Sequence, residues 1–308
     1  MSETFRILTI PSHDKTKLVA YEWMPSTKPR GILLIVHGMC EHAKRYNEFA
    51  GFLAKKGFVV FAYDLRAHGL TAGSPENCLT YPDKADLFSD SVKDMVFLSD
   101  MLIKKHKLPL YVLGHSYGSF LTQGYMQNYN KHAGIVLSGS AFMRDFNNVL
   151  GVSVAGLTKL FKGGAAPCNM IFALSFEKYA KAFTDGSWLT REASIAHKYK
   201  LDPYCGQVPS ANFYSSFFKG LNKVTNTKQL EKIDKTIPVL ITSGSSDQVG
   251  GKNLKLAQKL YNRYKEIGMA NLQLKIWQDG RHEILNETNR KEIYEYILEF
   301  LTKNSPLR

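Results

Sequence analysis

The sequence predicts an α/β protein with a mostly parallel central sheet flanked by helices. Two observations carry that prediction. Short continuous apolar runs, at residues 32–36, 58–63, 110–113, 134–137 and 238–242, recur between stretches whose apolar residues fall on one helical stripe. Continuous runs suit strands buried on both faces of a parallel sheet, and strand–helix alternation implies right-handed crossovers that place helices on both faces. The second observation is size. With 308 residues, 44% of them hydrophobic, the chain can build one large domain with an insertion, or two domains.

Taken in order, residues 5–10 and 17–23 read as two strands joined by a polar turn at Ser12, His13 and Asp14. The run at 32–36 ends at His37 and Gly38, a helical stretch covers 44–56, and the strand at 58–63 ends at Asp64. Over 84–105, Phe88, Val92, Met95, Val96, Leu102 and Ile103 share one helical stripe. The strand at 110–113 leads into Gly114-His115-Ser116-Tyr117-Gly118, then a helix-compatible stretch at 120–129 and a strand at 134–137. Between residues 144 and 230 the pattern breaks. That segment has no clear β-run, a glycine pair at Gly163 and Gly164, and many aromatic residues. The pattern resumes with a strand at 238–242, a helix at 254–264, a strand at 272–277 and a closing helix at 291–303. The reading is a core of residues 1–143 and 231–308, with a helical cap of residues 144–230 inserted after the sixth strand.

The net charge is +13. Lysines are spread over the predicted helices without a long consecutive block, and aromatics do not interleave with arginines, so no nucleic-acid partner is expected. A solvated lysine-rich surface accounts for the charge, and peripheral contact with an anionic membrane surface stays open beside it. No stretch approaches the ~20 apolar residues of a membrane span. The N-terminus lacks the basic and apolar regions of a secretory signal. The four cysteines, Cys40, Cys78, Cys168 and Cys205, form no C-x-x-C pair and read as reduced thiols, not as disulfides or a zinc site. The expectation is a cytoplasmic protein, possible at a membrane only peripherally, with no metal and no cofactor. The oligomeric state is left open.

The pentapeptide at 114–118 carries the chemistry. A strand, a G-x-S-x-G turn and a helix in that order form a nucleophile elbow, which pushes the Ser116 hydroxyl out of the sheet beside free helix N–H groups. A serine hydroxyl needs a base, and the base needs an orienting acid. In this arrangement they follow in the order Ser, Asp or Glu, His, in loops after later strands. Asp247 follows the strand at 238–242, and His282 follows the strand at 272–277; His282 alone of the nine histidines lies between a late strand and the terminal helix. Asp279 is the rival acid, but its closeness to His282 in sequence suits a loop former. The oxyanion donors are then the backbone N–H groups of Tyr117 and Met39. His37 reads as a structural residue of the loop that carries Gly38 and Met39.

These residues form a recognisable pattern. The chain resembles the monoacylglycerol lipase and lysophospholipase group of α/β hydrolases, which is related to the serine aminopeptidases. The resemblance rests on His37-Gly38-Met39-Cys40-Glu41-His42 with Arg45-Tyr46, on Asp64-Leu65-Arg66-Ala67-His68-Gly69, on the elbow, on Ser246-Asp247-Gln248-Val249-Gly250, and on Gly280-Arg281-His282-Glu283-Ile284-Leu285-Asn286-Glu287. In the cap, Asp202-Pro203-Tyr204-Cys205-Gly206 resembles a segment common in bacterial members. The resemblance implies an α/β-hydrolase fold and hydrolysis of a carboxylic ester with one acyl chain, with a small-molecule ester or lipid as substrate. Glu41 and Arg66 would support the mouth of the site through polar contacts, and His115 belongs to the supporting set. Cys40 and Ala67 stand where the group usually has glycine, Gln248 replaces a frequent proline, and Tyr117 is often methionine in the lipases. Cys40 can narrow the mouth or make the site thiol-sensitive.

The aromatic cap independently suits an apolar chain. Its apolar run at 149–157, followed by Lys159 and Lys162, fits either a membrane-docking helix or a helix packed on the cap's own core. An aminopeptidase on the same fold would need cap acids to hold a substrate ammonium, and Glu177, Asp185, Glu192 and Asp202 are available. A short-chain or aryl esterase is a further alternative. A non-catalytic receptor on the same fold would usually lack one of the three catalytic residues.

Overall fold

The apolar run after Gly31 forms a strand in which every residue is buried, and the same holds for four of the runs that follow it. The computed structural model describes residues 4–81, 86–143 and 146–304, and of 146–149 the backbone alone. Its strands are β1 (Thr4–Pro11), β2 (Lys17–Met24), β3 (Gly31–Val36), β4 (Phe58–Tyr63), β5 (Leu110–His115), β6 (Gly134–Ser138), β7 (Val239–Gly244) and β8 (Leu272–Trp277). They form one sheet in the order β1-β2-β4-β3-β5-β6-β7-β8. β2 is antiparallel to β1 and β4, and all other pairs are parallel.

Helices α1 (Asn47–Lys55), α2 (Leu87–His106) and α3 (Tyr117–Met126) follow β3, β4 and β5. Between β6 and β7 lie α4 (Phe146–Lys162), α5 (Asn169–Phe172), α6 (Lys178–Lys181), α7 (Ala193–Leu201), α8 (Ala211–Val224) and α9 (Thr227–Leu230), with a π-helical segment Ala173–Glu177 joining α5 to α6. After β7 come α10 (Lys255–Glu266) and, beyond β8, α11 (Arg290–Lys303).

The two-residue period of the strands divides the core into two layers. Leu33 and Ile35 face α1 and α11, meeting Phe49, Leu53, Ile293 and Ile297. Ile32, Leu34 and Val36 face the other way, towards Phe88 and Met95 of α2, Leu121 of α3 and Leu260 of α10. Phe213 and Leu221 of α8 join that second layer and anchor the inserted helices to the core.

The predicted elements are present, with shifted ends. The helix predicted at 120–129 begins at Tyr117, directly after Ser116, and stops at Met126. The stretch at 44–56 opens with a 3₁₀ turn, Ala43–Tyr46, before α1. The helix predicted from Lys84 begins at Leu87, capped by the Asp86 side chain, which accepts the Ser89 N–H; Lys84 itself lies outside the described residues. Arg144, at the predicted edge of the cap, also lies outside them. Among the described residues no helix is long and apolar enough to cross a membrane.

Candidate active site

The carboxyl ends of β3, β5, β6, β7 and β8 all open on one edge of the sheet, and the predicted residues gather there. At the end of β5, Ser116 has φ +51° and ψ −118°, a strained conformation for a residue with a Cβ. Its N–H donates to the Ser138 carbonyl at 2.9 Å, and its own carbonyl accepts the N–H groups of Ser119 (2.8 Å) and Phe120 (3.2 Å). The strain falls on the serine itself. The glycines serve a different need: a Cβ on Gly118 would stand 2.5 Å from the His37 carbonyl oxygen, and one on Gly114 would stand 2.5 Å from that of Gly118. Backbones must touch at both places for the turn to close.

Asp247 and His282 are brought together. His282 Nδ1 lies 2.8 Å from Asp247 Oδ1, with both side chains buried. Asp247 also accepts from the Ser243 hydroxyl (2.8 Å) and the Val249 N–H (2.9 Å), so its orientation is fixed on both oxygens. Burial pulls the His282 pKa down, but the charge and hydrogen bond of Asp247 outweigh it, and the net shift is upward. For Asp247 burial pushes up, and His282, Ser243 and the Val249 N–H together hold the carboxyl below its ordinary value. The other ring nitrogen, Nε2, is buried with no hydrogen-bond partner among the described residues. The ring lies against Gly139, where a Cβ would stand 2.8 Å from His282 Cε1. It also sits 4.7 Å from the ring of His115, the residue before Ser116. Asp279, the rival acid, is exposed; its carboxylate accepts from the Gln278 side chain at 2.9 Å and its N–H donates to Ser245 Oγ at 2.8 Å, as a loop former should.

The loop after β3 is held from below. His37 is buried; its Nδ1 meets the Gly38 carbonyl at 2.7 Å and its Nε2 accepts the Leu65 N–H at 2.9 Å. Burial depresses its pKa to about 3, so it stays neutral. Gly38 donates its N–H to Glu41 Oε1 at 2.6 Å, and a Cβ there would stand 3.2 Å from that of Ser116. Met39 comes next and is partly buried. Tyr117 is the first residue of α3, so its N–H has no acceptor within the helix. Its ring lies 5.3 Å from that of Phe213 and is stacked at 6.0 Å on His68.

Two residues with no role predicted from sequence complete this support. Arg45 donates to Glu41 Oε2 (2.6 Å) and, with both terminal nitrogens, to Glu283 (2.6 and 2.7 Å), under the ring of Tyr199. Burial pushes the Glu283 carboxyl up, and Arg45 outweighs it, holding the group well below the usual range. The loop after β3 and the loop that carries His282 are thereby tied together. The expectation for Arg66 is corrected. Its guanidinium is buried and bonded to Asp94, Asp14, Thr16 and Ser12, pinning the β1–β2 turn to α2 instead of supporting the mouth of the site. Glu41, by contrast, is buried beneath the loop with all its contacts internal. Cys40 is also buried, and burial pushes its thiol pKa well up, which argues against thiol sensitivity.

The inserted helices reach the same edge. The Trp188 ring stacks on His282 at 4.8 Å and 25°, its carbonyl accepts the His282 N–H at 3.3 Å, and the Leu189 carbonyl accepts the Glu283 N–H at 2.7 Å. Phe176 and Tyr179 pack on Trp188 in turn. Sequence periodicity could not reveal these contacts, because they join segments far apart in the chain. Among the described residues two clusters have metal-ligating groups close together. In Glu41, His115 and Glu283 the Arg45 guanidinium already supplies the cation. The other, His42, Asp202 and Cys205, lies where the inserted segment meets the loop after β3.

Comparison with known proteins agrees with this architecture. A family model described as serine aminopeptidase, S33, matches residues 27–289. The chain is 28% identical to the monoacylglycerol lipase of Mycolicibacterium smegmatis over 295 residues, covering 94% of each chain. It is 25% identical to a monoglyceride lipase homolog of monkeypox virus over 283 residues, covering 89% of this chain and 92% of that one. Among solved structures, a highly thermostable carboxyl esterase from Bacillus coagulans in complex with glycerol superposes with a TM-score of 0.86 at 25% identity, covering 98% and 99% of the two chains. A soluble variant of the Saccharomyces cerevisiae monoglyceride lipase gives a TM-score of 0.76 at 19% identity, covering 100% and 97%, a likeness of fold. With the sheet order, the elbow and this match in hand, the chain is an α/β hydrolase and belongs to the serine aminopeptidase, S33, family.

Proposed function

We propose that the protein is a serine hydrolase of carboxylic esters that acts on monoacylglycerols or lysophospholipids through Ser116, His282 and Asp247. The observation that carries this reading is the His282–Asp247 pair, whose remaining nitrogen, Nε2, is buried and unpaired on the edge where β5 delivers Ser116. Ser116 Oγ attacks the ester carbonyl while His282 Nε2 takes its proton. The N–H groups of Met39 and Tyr117 hold the oxyanion. His282 returns the proton to the departing alcohol, and water, activated by the same nitrogen, then releases the fatty acid. Asp247 stays ionised and fixes the histidine tautomer. Residues 144–230 act as the cap, with Trp188, Phe176 and Tyr179 as an apolar roof suited to one acyl chain.

Peripheral contact with an anionic membrane belongs to the same reading. Leu157, Leu160, Phe161, Met170 and Leu174 are exposed, and Lys159, Lys162, Lys178 and Lys181 lie among or near them. Such a surface can reach a lipid layer that presents the substrate. Cosedimentation with vesicles rich in phosphatidylserine is expected, and it should weaken in Leu160→Glu/Phe161→Glu.

The cap acids favour an ester over an amino-terminal substrate. Asp185 is paired with Arg281, Asp202 with His42 and Glu192 with Arg290, while Glu177 is exposed. Product analysis with matched monoacylglycerols, lysophospholipids, short-chain esters and proline anilides tests the assignment. Release of fatty acid from single-chain lipids is expected. Hydrolysis of proline anilide without ester cleavage would overturn it in favour of an aminopeptidase.

A further inference from the structure

The loop after β3 and the inserted segment meet at a cluster of donors that the proposed ester chemistry does not use. A ring nitrogen of His42, a carboxylate oxygen of Asp202 and the Sγ of Cys205 all lie within 4.8 Å of one another. Asp202 ends α7, and Cys205 sits in the turn that follows, its N–H donating to the Asp202 carbonyl at 3.0 Å. His42 Nε2 and Asp202 Oδ2 are 2.9 Å apart. That is close to the separation of roughly 3.3 Å between ligands bound at about 2.0–2.1 Å in a tetrahedral shell. Cys205 is buried, whereas the side chains of His42 and Asp202 are 12% and 30% exposed, which leaves a way in for an ion past Asp202. Of the acidic groups near the thiol, Glu41 and Glu283 are already paired with Arg45, which leaves the Asp202 carboxylate to meet a cation. Thiolate, imidazole and carboxylate form a zinc donor set, and three protein ligands leave a fourth position for water.

We propose that His42, Asp202 and Cys205 bind one zinc-class divalent cation that clamps the cap to the loop after β3. On binding, the Cys205 thiol gives its proton to solvent and a sulfur–metal bond forms. His42 carries its remaining proton on Nδ1 and offers the Nε2 lone pair, and Asp202 exchanges its hydrogen bond to His42 for a bond to the metal. No redox change is involved. The clamp acts next to Met39, because the Cys40 carbonyl already accepts the Gly206 N–H (2.9 Å) and the Tyr199 hydroxyl (3.0 Å). The cation therefore ties the segment between β6 and β7 more firmly to the loop that carries Met39. The donors lie up to about 160 positions apart in the chain and include no C-x-x-C pair, so the sequence alone reads as metal-free.

Calorimetric titration of the full, chelator-stripped chain with Zn²⁺ tests the site, together with Co²⁺ absorption as a direct readout of thiolate ligation. One equivalent of Zn²⁺ per chain, a rise in melting temperature and a thiolate-to-cobalt charge-transfer band are expected. The band should vanish in Cys205→Ser, and affinity should fall at least about tenfold in His42→Ala and Asp202→Asn, with folding of each checked by circular dichroism. Absence of stoichiometric binding by the wild-type chain would overturn the proposal whatever the variants do. So would unaltered Co²⁺ spectra in a folded Cys205→Ser protein.

Discussion

Asp247 decides how His282 titrates. Burial alone would keep the imidazole neutral to low pH, and the adjacent carboxylate reverses that direction. In the proposed mechanism His282 is the base and must be neutral, so activity is expected to be lost as pH falls through its pKa. Because that pKa is raised above the ordinary value of 6.5, the acid limb of kcat/KM should have its midpoint above 6.5. In Asp247→Asn the upward pull is removed, so the limb should move to lower pH, and kcat should fall by roughly 10⁴-fold as the tautomer is lost. A pH–rate series on both proteins checks this; an unmoved limb would separate Asp247 from the base. Two other residues make a stability prediction. Cys40 (φ +61°) and Ala67 (φ +60°) adopt the left-handed conformation, which glycine enters without strain. Ala67→Gly should stabilise the fold by up to about 1 kcal/mol, the relief of strain exceeding the added chain entropy. Urea unfolding measures it, and a loss of stability would contradict the strain.

At the scale of elements, Arg45 joins the loop after β3 to the loop after β8. Replacing it with alanine leaves Glu41 and Glu283 buried without their cation, and a loss of about 3–5 kcal/mol is expected in denaturant unfolding. The pH dependence has a definite sign. Glu283 is held below its ordinary range, so its contribution to stability is full above the ordinary glutamate pKa and is lost as pH falls through the lower folded value. Arg45→Ala should therefore flatten the acid side of the stability curve. Trp188 makes the corresponding link from the inserted segment. Its stacking on His282, typically worth ~0.5–1.5 kcal/mol, positions the ring, so Trp188→Ala should lower kcat by about 2–12-fold with a smaller change in KM. An unchanged kcat would make the contact packing alone.

Over the whole molecule, what could be read from sequence was what is local. β5, the pentapeptide and α3 are contiguous, so the elbow is visible as a pattern, and Asp247 and His282 are legible because each follows a recognisable strand. The five continuous apolar runs announced strands because they are buried on both faces, where alternation is not needed. Long-range pairing was not legible. Nothing local tells that Arg45 meets Glu283, that Trp188 lies on His282, or that Arg66 turns to Asp94 and Asp14. Helix starts depart from the apolar periodicity where capping and the elbow set them, as at Tyr117 and Leu87. The proposed chemistry requires that Ser116 itself becomes acylated. Intact-protein and peptide mass spectrometry after reaction with a fluorophosphonate tests that most directly. One adduct per chain is expected, on Ser116, absent in Ser116→Ala, whose turnover should fall by several orders of magnitude with the fold retained. Ester hydrolysis at a near-normal rate in Ser116→Ala, or an adduct on another residue that abolishes activity, would contradict it.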